Sequence, residues 1–242
     1  MTAIRQEERT LTVDGECVRY VLERKAIKRV NLRVRRDGSV FVSAPARTPI
    51  SVIERFLREK ADWLRGARAR VDARKPTPFL PVEGAVLSIE GKPHTLTLTV
   101  GRPGVQRGDG VLYLTLRDVA ATAEALRVLR RFVKAEAKRV LTARVEALYP
   151  LFAHRVPTFP TLSFRWMRSR WGSCTAAKNH VSLNEKLLFV DPLLADYVIL
   201  HELCHFAHQD HSAAFYRELA KYFPQYAIAK RALSLTSVPT FE

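Results

Sequence analysis

Apolar and polar residues alternate in short runs through the first half of the chain, and the runs come in pairs around glycine-containing turns. Leu11 to Val13 and Cys17 to Leu22 flank Asp14-Gly15, Val30 to Val34 and Val40 to Ser43 flank Asp37-Gly38, and Val86 to Ile89 and Thr95 to Val100 flank Glu90-Gly91; Val111 to Leu116 follows Asp109-Gly110. A period of two around such turns predicts β-hairpins. One helix, from Ser51 to about Arg74, interrupts them, and Lys75-Pro76-Thr77-Pro78 ends it. From Val119 a helical pattern through Leu126, Leu129, Phe132, Val133, Val140, Leu141, Val145 and Leu148 runs to Tyr149-Pro150. Short strands follow at Leu162 to Met167 and His180 to Leu183. Asp191-Pro192 then opens a helix carrying Leu193, Leu194, Tyr197, Val198, Ile199, Leu200, Leu203 and Phe206, apolar nearly all round and so destined for a core. Ser212 caps a last amphipathic helix, Ala213 to Phe223. The expected class is α+β, with a hairpin-rich region at 1–116 holding the helix at 51–74, and a second domain at 117–242. No internal repeat stands out.

The buried helix carries His201, Glu202 and His205 in the pattern H-E-x-x-H. Histidines four apart sit one helical turn from each other, separated by about 6 Å of rise, so both imidazoles can reach one tetrahedral zinc at about 2 Å. Glu202, beside them, is placed to take a proton from a zinc-activated water rather than to ligate. Burying a carboxylate and two imidazoles in an apolar helix is costly unless something satisfies them, and a metal does so.

A catalytic zinc keeps three protein ligands and one open position, so the third must come from elsewhere. His208 and His211 compete. His208 shares the helix face but lies roughly 10 Å along the axis from His201 if the helix stays straight. His211 is better placed, because the polar break His208-Gln209-Asp210-His211-Ser212 can turn it back toward the pair. Asp210 is a candidate to orient an imidazole. Cys174 is a rival third ligand, as in peptide deformylases, although buried structural cysteine is the commoner case.

Upstream stand Arg168-Ser169-Arg170-Trp171-Gly172-Ser173-Cys174 and Val181-Ser182-Leu183-Asn184; Asp196-Tyr197-Val198 leads into the H-E-x-x-H, and His211-Ser212-Ala213-Ala214-Phe215 follows it. The succession resembles the YgjP-like zinc metallopeptidases, and likeness extends more loosely over about residues 18–233. The resemblance implies zinc on His201, His205 and His211, with Glu202 as the base. It also implies a small zincin-like core, in which an edge strand can hold an extended peptide by main-chain hydrogen bonds; Val181 to Asn184 is the candidate strand.

Composition adds three bounds. Cys17, Cys174 and Cys204 are far apart, and no charged start leads into an apolar run, which fits a reduced cytoplasmic protein without a signal peptide. No apolar stretch reaches about 18 residues, so no membrane span is expected. The net charge of +16 is unevenly spread: residues 19–75 hold seventeen basic against six acidic residues, 127–178 twelve against two, and 189–216 no lysine or arginine. Such a field attracts nucleic acid or another polyanion, whereas solvated helix faces would account for Arg55, Arg58, Lys60, Arg65, Arg68 and Arg70 without any partner.

The expected activity is zinc-dependent hydrolysis of peptide bonds in a protein or peptide substrate. The oxyanion donor is open among Arg170, His180 and Tyr216. Two alternatives stand beside it: a nucleic-acid-associated protein whose protease activity is directed at DNA-bound proteins, as in the more distantly similar SprT-like proteases, and a zinc protein without turnover.

Overall fold

Asp14 and Gly15 both take positive φ, 49° and 81°, which closes the first hairpin. In it β1 (Gln6–Val13) pairs antiparallel with β2 (Glu16–Lys25). In this computed structural model, residues 6–35, 37–72 and 77–241 are described. A second hairpin, β3 (Asn31–Val34) with β4 (Val40–Pro45), joins the first through parallel pairing of β2 and β4, giving the order β1-β2-β4-β3. Alternation turns Val18, Tyr20, Leu22, Val40, Val42 and Ala44 to one buried face.

The helix expected from Ser51 to about Arg74 is two helices, α1 (Ile50–Glu59) and α2 (Ala61–Asp72). Between them Lys60 sits at φ −103°, ψ 15°, and its N–H still bonds the carbonyls of Phe56 and Leu57 at 3.1 and 3.2 Å. The bend lets Ile53, Leu57, Ala61 and Leu64 all join the sheet's core. The expected end near Arg74 and the breaker Lys75-Pro76 lie outside the described residues.

Residues 1–75 form one compact unit and 76–242 another. The second opens with β5 (Thr77–Pro78) and then four strands, β6 (Val86–Ile89), β7 (Lys92–Val100), β8 (Gly104–Arg107) and β9 (Val111–Leu116), in the order β6-β7-β9-β8. Here again two antiparallel hairpins join through parallel inner strands, β7 and β9. The connectivity of the first sheet therefore recurs, although the residues carry no visible repeat. Hairpin pairing asks only for alternation and a compatible turn, which many sequences satisfy.

Across this sheet runs α3 (Thr122–Leu148), whose Leu129, Val133, Ala137 and Leu141 are fully buried in one core with Leu112, Leu114 and Leu116. The second sheet thus belongs with the C-terminal unit, whereas the sequence divides more naturally at 116/117, where strands give way to helix. Arg107 ties the two layers, its guanidinium 3.0 Å from Glu90 and 2.9 Å from Glu136.

A third sheet follows: β10 (Thr161–Arg165), β11 (Gly172–Thr175) and β12 (His180–Asn184), with β12 in the middle, parallel to β10 and antiparallel to β11. Both edges of β12 are therefore occupied. The role of peptide-holding edge strand expected for Val181 to Asn184 is corrected on this point, and β11, which begins inside the Arg168-to-Cys174 motif, lies at the edge. Three helices complete the unit, α4 (Pro192–Cys204), α5 (Ala213–Tyr222) and α6 (Tyr226–Leu235), before β13 (Pro239–Thr240) pairs in parallel with β5. No helix among the described residues is long and apolar enough to cross a membrane.

Hydrogen bonds from Arg139, and after the opposing effect of burial those from Arg107, hold the Glu136 carboxyl below its ordinary value of 4.5. A depressed carboxylate stabilises the fold above the unfolded value and loses that contribution as pH falls through the folded one. Glu136→Gln is expected to lower unfolding free energy by roughly 1 to 3 kcal/mol at pH 7 and by less as the pH drops below 4.5. Urea denaturation of both proteins across that range measures the difference.

Candidate metal centre

Asp191 caps α4 through its Oδ1, which accepts from the Leu193 N–H at 2.8 Å, and Pro192 follows at the first helical position. The helix buries Tyr197, Val198, Ile199, Leu200, Leu203 and Cys204, which locks its rotation in the core. Glu202, 5% exposed, is carried in with them. Helical geometry ends at Cys204, and backbone N–H groups of Ala207 and His208 both bond the Cys204 carbonyl at 3.1 Å. This tight turn returns the chain, so that ligand atoms of His201, His205 and His211 all lie within 4.8 Å of one another.

The Nε2 atoms of His201 and His211 stand 3.0 Å apart. Two nitrogens each about 2.05 Å from a tetrahedral zinc stand roughly 3.3 Å apart, so the rings already fit one ion. His205 donates its Nδ1–H to the His208 carbonyl at 2.8 Å, which leaves its Nε2 as the donor atom for a metal. Phe215, fully buried, packs against all three rings at centroid distances of 4.8, 4.7 and 5.0 Å. Burial, and then the charges of His205, His211 and Lys230, push His201 down to about 3. His211 is lowered too, first by burial and then by His205 and Lys230. Both imidazoles are thus held neutral, the form that ligates.

His208 supplies its carbonyl and stays outside the trio. Asp210 accepts from the Ser212 N–H at 3.3 Å, which shapes the start of α5; among the described residues it makes no hydrogen bond to an imidazole. Cys174 faces Glu202 and is not in the histidine cluster; burial and then Glu202 push its thiol up to about 12. That strongly disfavours the thiolate a metal requires.

Glu202 meets β11. The backbone N–H of Cys174 hydrogen-bonds the carboxylate, and Arg170 lies close enough to favour its charge, yet burial outweighs both and pushes it up to about 8. A Cβ on Gly172 would stand 2.6 Å from Oε1, 2.8 Å from Cγ and 2.9 Å from Cδ of Glu202. Only glycine permits that approach. The segment that leads into the strand is fastened by Asn184, 2% exposed. Its Nδ2 donates to the carbonyls of Met167 (3.0 Å) and Arg170 (2.7 Å), its Oδ1 accepts from the N–H groups of Met167 (3.2 Å) and Lys186 (3.1 Å), and its backbone N–H bonds Trp171 at 2.8 Å. Every hydrogen-bonding position of the amide is used.

The three histidines, Glu202, Gly172 and Cys174 line a cleft of about 740 Å³ shared by β11, α4 and α6. Arg170 and Lys230 border it, whereas Tyr216 stands beside His211 and accepts from Lys230 Nζ at 2.8 Å. His180 pairs with Thr161 and Thr175 at the other end of β12 and does not line the cleft. Periodicity gave no signal for Gly172, Asn184 or Lys230 as site residues. The first two lay inside motifs whose turn and strand character was visible, but Lys230 sits nineteen positions beyond His211 on another helix.

Gly172→Ala is expected to displace the Glu202 carboxylate while leaving the histidines alone. Bound metal should stay at the wild-type ratio and the unfolding free energy should fall by about 1 to 3 kcal/mol, the cost of overpacking a filled site. Elemental analysis together with urea denaturation separates the two effects.

Two solved archaeal structures are similar to part of the chain. One is the metallopeptidase zymogen jannalysin of Methanocaldococcus jannaschii, with 21% identity, 38% of this chain and 92% of that one covered, and a TM-score of 0.35. The other is the metallopeptidase zymogen abylysin of Pyrococcus abyssi, at 19% identity, 40% and 98% coverage, and a TM-score of 0.34. No curated protein matches. The family model for the YgjP-like metallopeptidase domain matches residues 28–235, which is most of the sequence, and the chain belongs to that family.

Proposed function

We propose that the chain is a zinc-dependent peptidase whose metal is held by His201, His205 and His211 and whose general base is Glu202. The observation that carries this reading is the convergence of ligand atoms of three imidazoles within 4.8 Å of one another, with a buried carboxylate next in sequence to the first of them. A zinc ion held there supplies a Lewis acid that makes water nucleophilic near neutral pH and polarises a carbonyl oxygen.

The chain's own groups do the rest. Glu202 takes a proton on its carboxylate from the attacking water and later gives it to the leaving amine. The positive charge of a metal held by the three imidazoles would oppose the burial that pushes Glu202 upward, and so favour the ionised base. Gly172 lets the strand approach, and the Cys174 N–H fixes the carboxylate's orientation. The edge strand β11 borders the cleft and is suited to hold an extended peptide through its main chain. Arg170 and Lys230, cationic and on the cleft wall, are the groups placed to steady a developing oxyanion. Three free thiols, Cys17, Cys174 and Cys204, fit a reducing, cytoplasmic setting.

A second reading, action on proteins held on nucleic acid, is favoured by the net charge of +16 and its uneven spread.

Glu202→Gln should keep one zinc per chain and lower turnover by roughly a hundred- to ten-thousandfold; retained hydrolysis would remove the assignment of the base. His211→Ala should instead lose stoichiometric zinc, read by elemental analysis of the purified protein. Full zinc occupancy in that variant would transfer the third position to another donor, and a wild-type protein that binds zinc but cleaves no peptide would leave a structural metal site.

A further inference from the structure

Basic residues on α3 fall into two classes. Arg130, Arg139 and Arg144 each face a carboxylate, Glu185 at 2.5 Å, Glu136 at 2.8 Å and Asp196 at 2.8 Å. Arg127, Arg131, Lys134 and Lys138 are exposed, and none makes an ion pair among the described residues. At 100° per residue the four fall within about 60° of one another around the helix, forming one stripe about 16 Å long. Two of its pairs, 127 with 131 and 134 with 138, are like charges at i, i+4, an arrangement that destabilises a helix. Folding therefore does not account for the stripe.

Neighbouring loops add to it. Arg102, between β7 and β8, and Arg117, after β9, stand with Arg127 and Arg131 around a hollow of about 360 Å³ whose lining includes a single acid, Glu124. That carboxylate is engaged by the Arg117 backbone N–H at 3.1 Å. An adjoining hollow of about 530 Å³ shares Arg127 and Arg131, adds Arg130 and Lys134, and is walled on its apolar side by Ala123, Leu126 and Phe241.

We propose that this face of the C-terminal unit binds single-stranded nucleic acid, the guanidiniums taking phosphates and the apolar wall taking bases. The proposal deepens the nucleic-acid reading above and rests on it. Guanidinium forks match phosphate oxygens two at a time. A row of cations beside an apolar wall is the combination that unpaired strands use, since each nucleotide offers a charge and a flat ring together. A duplex presents the same phosphates but keeps its ring faces stacked, so it would leave the second hollow unfilled. An acidic polypeptide would answer the charge without a flat apolar group at each repeat.

The test uses the full chain and fluorescence anisotropy of a labelled single strand of about 20 nucleotides, with the matching duplex as comparator, over a salt series. Arg127→Glu with Arg131→Glu is set against Arg55→Glu with Arg58→Glu, which removes the same charge from exposed positions in the N-terminal unit. The α3 variant should lose about tenfold or more in affinity and show a salt slope shallower by about two, while the N-terminal variant stays within about twofold of wild type. Circular dichroism and retained peptide hydrolysis verify that both variants are folded. Equal losses in the two variants would overturn this surface but keep nucleic-acid binding. Duplex bound as tightly as single strand would overturn the role given to the apolar wall. No binding by the wild-type chain would remove the nucleic-acid reading altogether and leave the peptidase reading, which hydrolysis measures independently.

Discussion

Helix α4 carries a carboxylate and an imidazole into a core on a segment that is apolar nearly all round, and the C-terminal unit is arranged around that burden. Polar groups taken from water without partners are expensive. Glu202 is answered by the Cys174 N–H and the charge of Arg170, and the imidazoles are turned toward one another over the ring of Phe215. Among the described residues, His201 Nδ1 is buried without a hydrogen-bond partner.

The carboxylate's partner is a strand, so the strand must be held as firmly as the helix. Asn184 does this through the segment ahead of β11, bonding the backbone at Met167, Arg170 and Trp171, and also at Lys186. The geometry of the cleft thus passes from β12, which is central and paired on both sides, through one saturated amide to the edge strand β11, and from there to Glu202. A site mounted on regular elements in this way keeps its geometry better than one mounted on loops. The absence of a Cβ at Gly172 is what closes the last gap.

Charge is apportioned with equal consistency. In the C-terminal unit Arg107 ties the sheet to α3 through Glu90 and Glu136, Arg139 pairs with Glu136 along α3, and Arg144 ties α3 to Asp196 of α4. A different stripe of α3 is left with cations alone, while the segment around the metal centre, 189–216, contains neither lysine nor arginine. Lys230 reaches that centre from α6, and its Nζ is held by the Tyr216 hydroxyl. Paired cations stabilise the fold; the unpaired ones extend a field into solvent.

Local chemistry was legible in the residues themselves. Alternation around Asp14-Gly15 and Glu90-Gly91 announced hairpins because both turns need positive φ, and the spacing of His201 and His205 announced a shared helix face because one turn is nearly four residues. The polar break before Ser212 likewise showed where the chain had to turn. What no local pattern contains is which distant segments meet. The kink at Lys60, the recurrence of one sheet connectivity in two units, the central rather than edge place of β12, and the approach of Gly172 to Glu202 all follow from competition among long-range packings. Alternation says that a strand has two faces, but only tertiary structure decides which neighbour pairs with each edge, and the glycine at 172 and the asparagine at 184 answer to that choice.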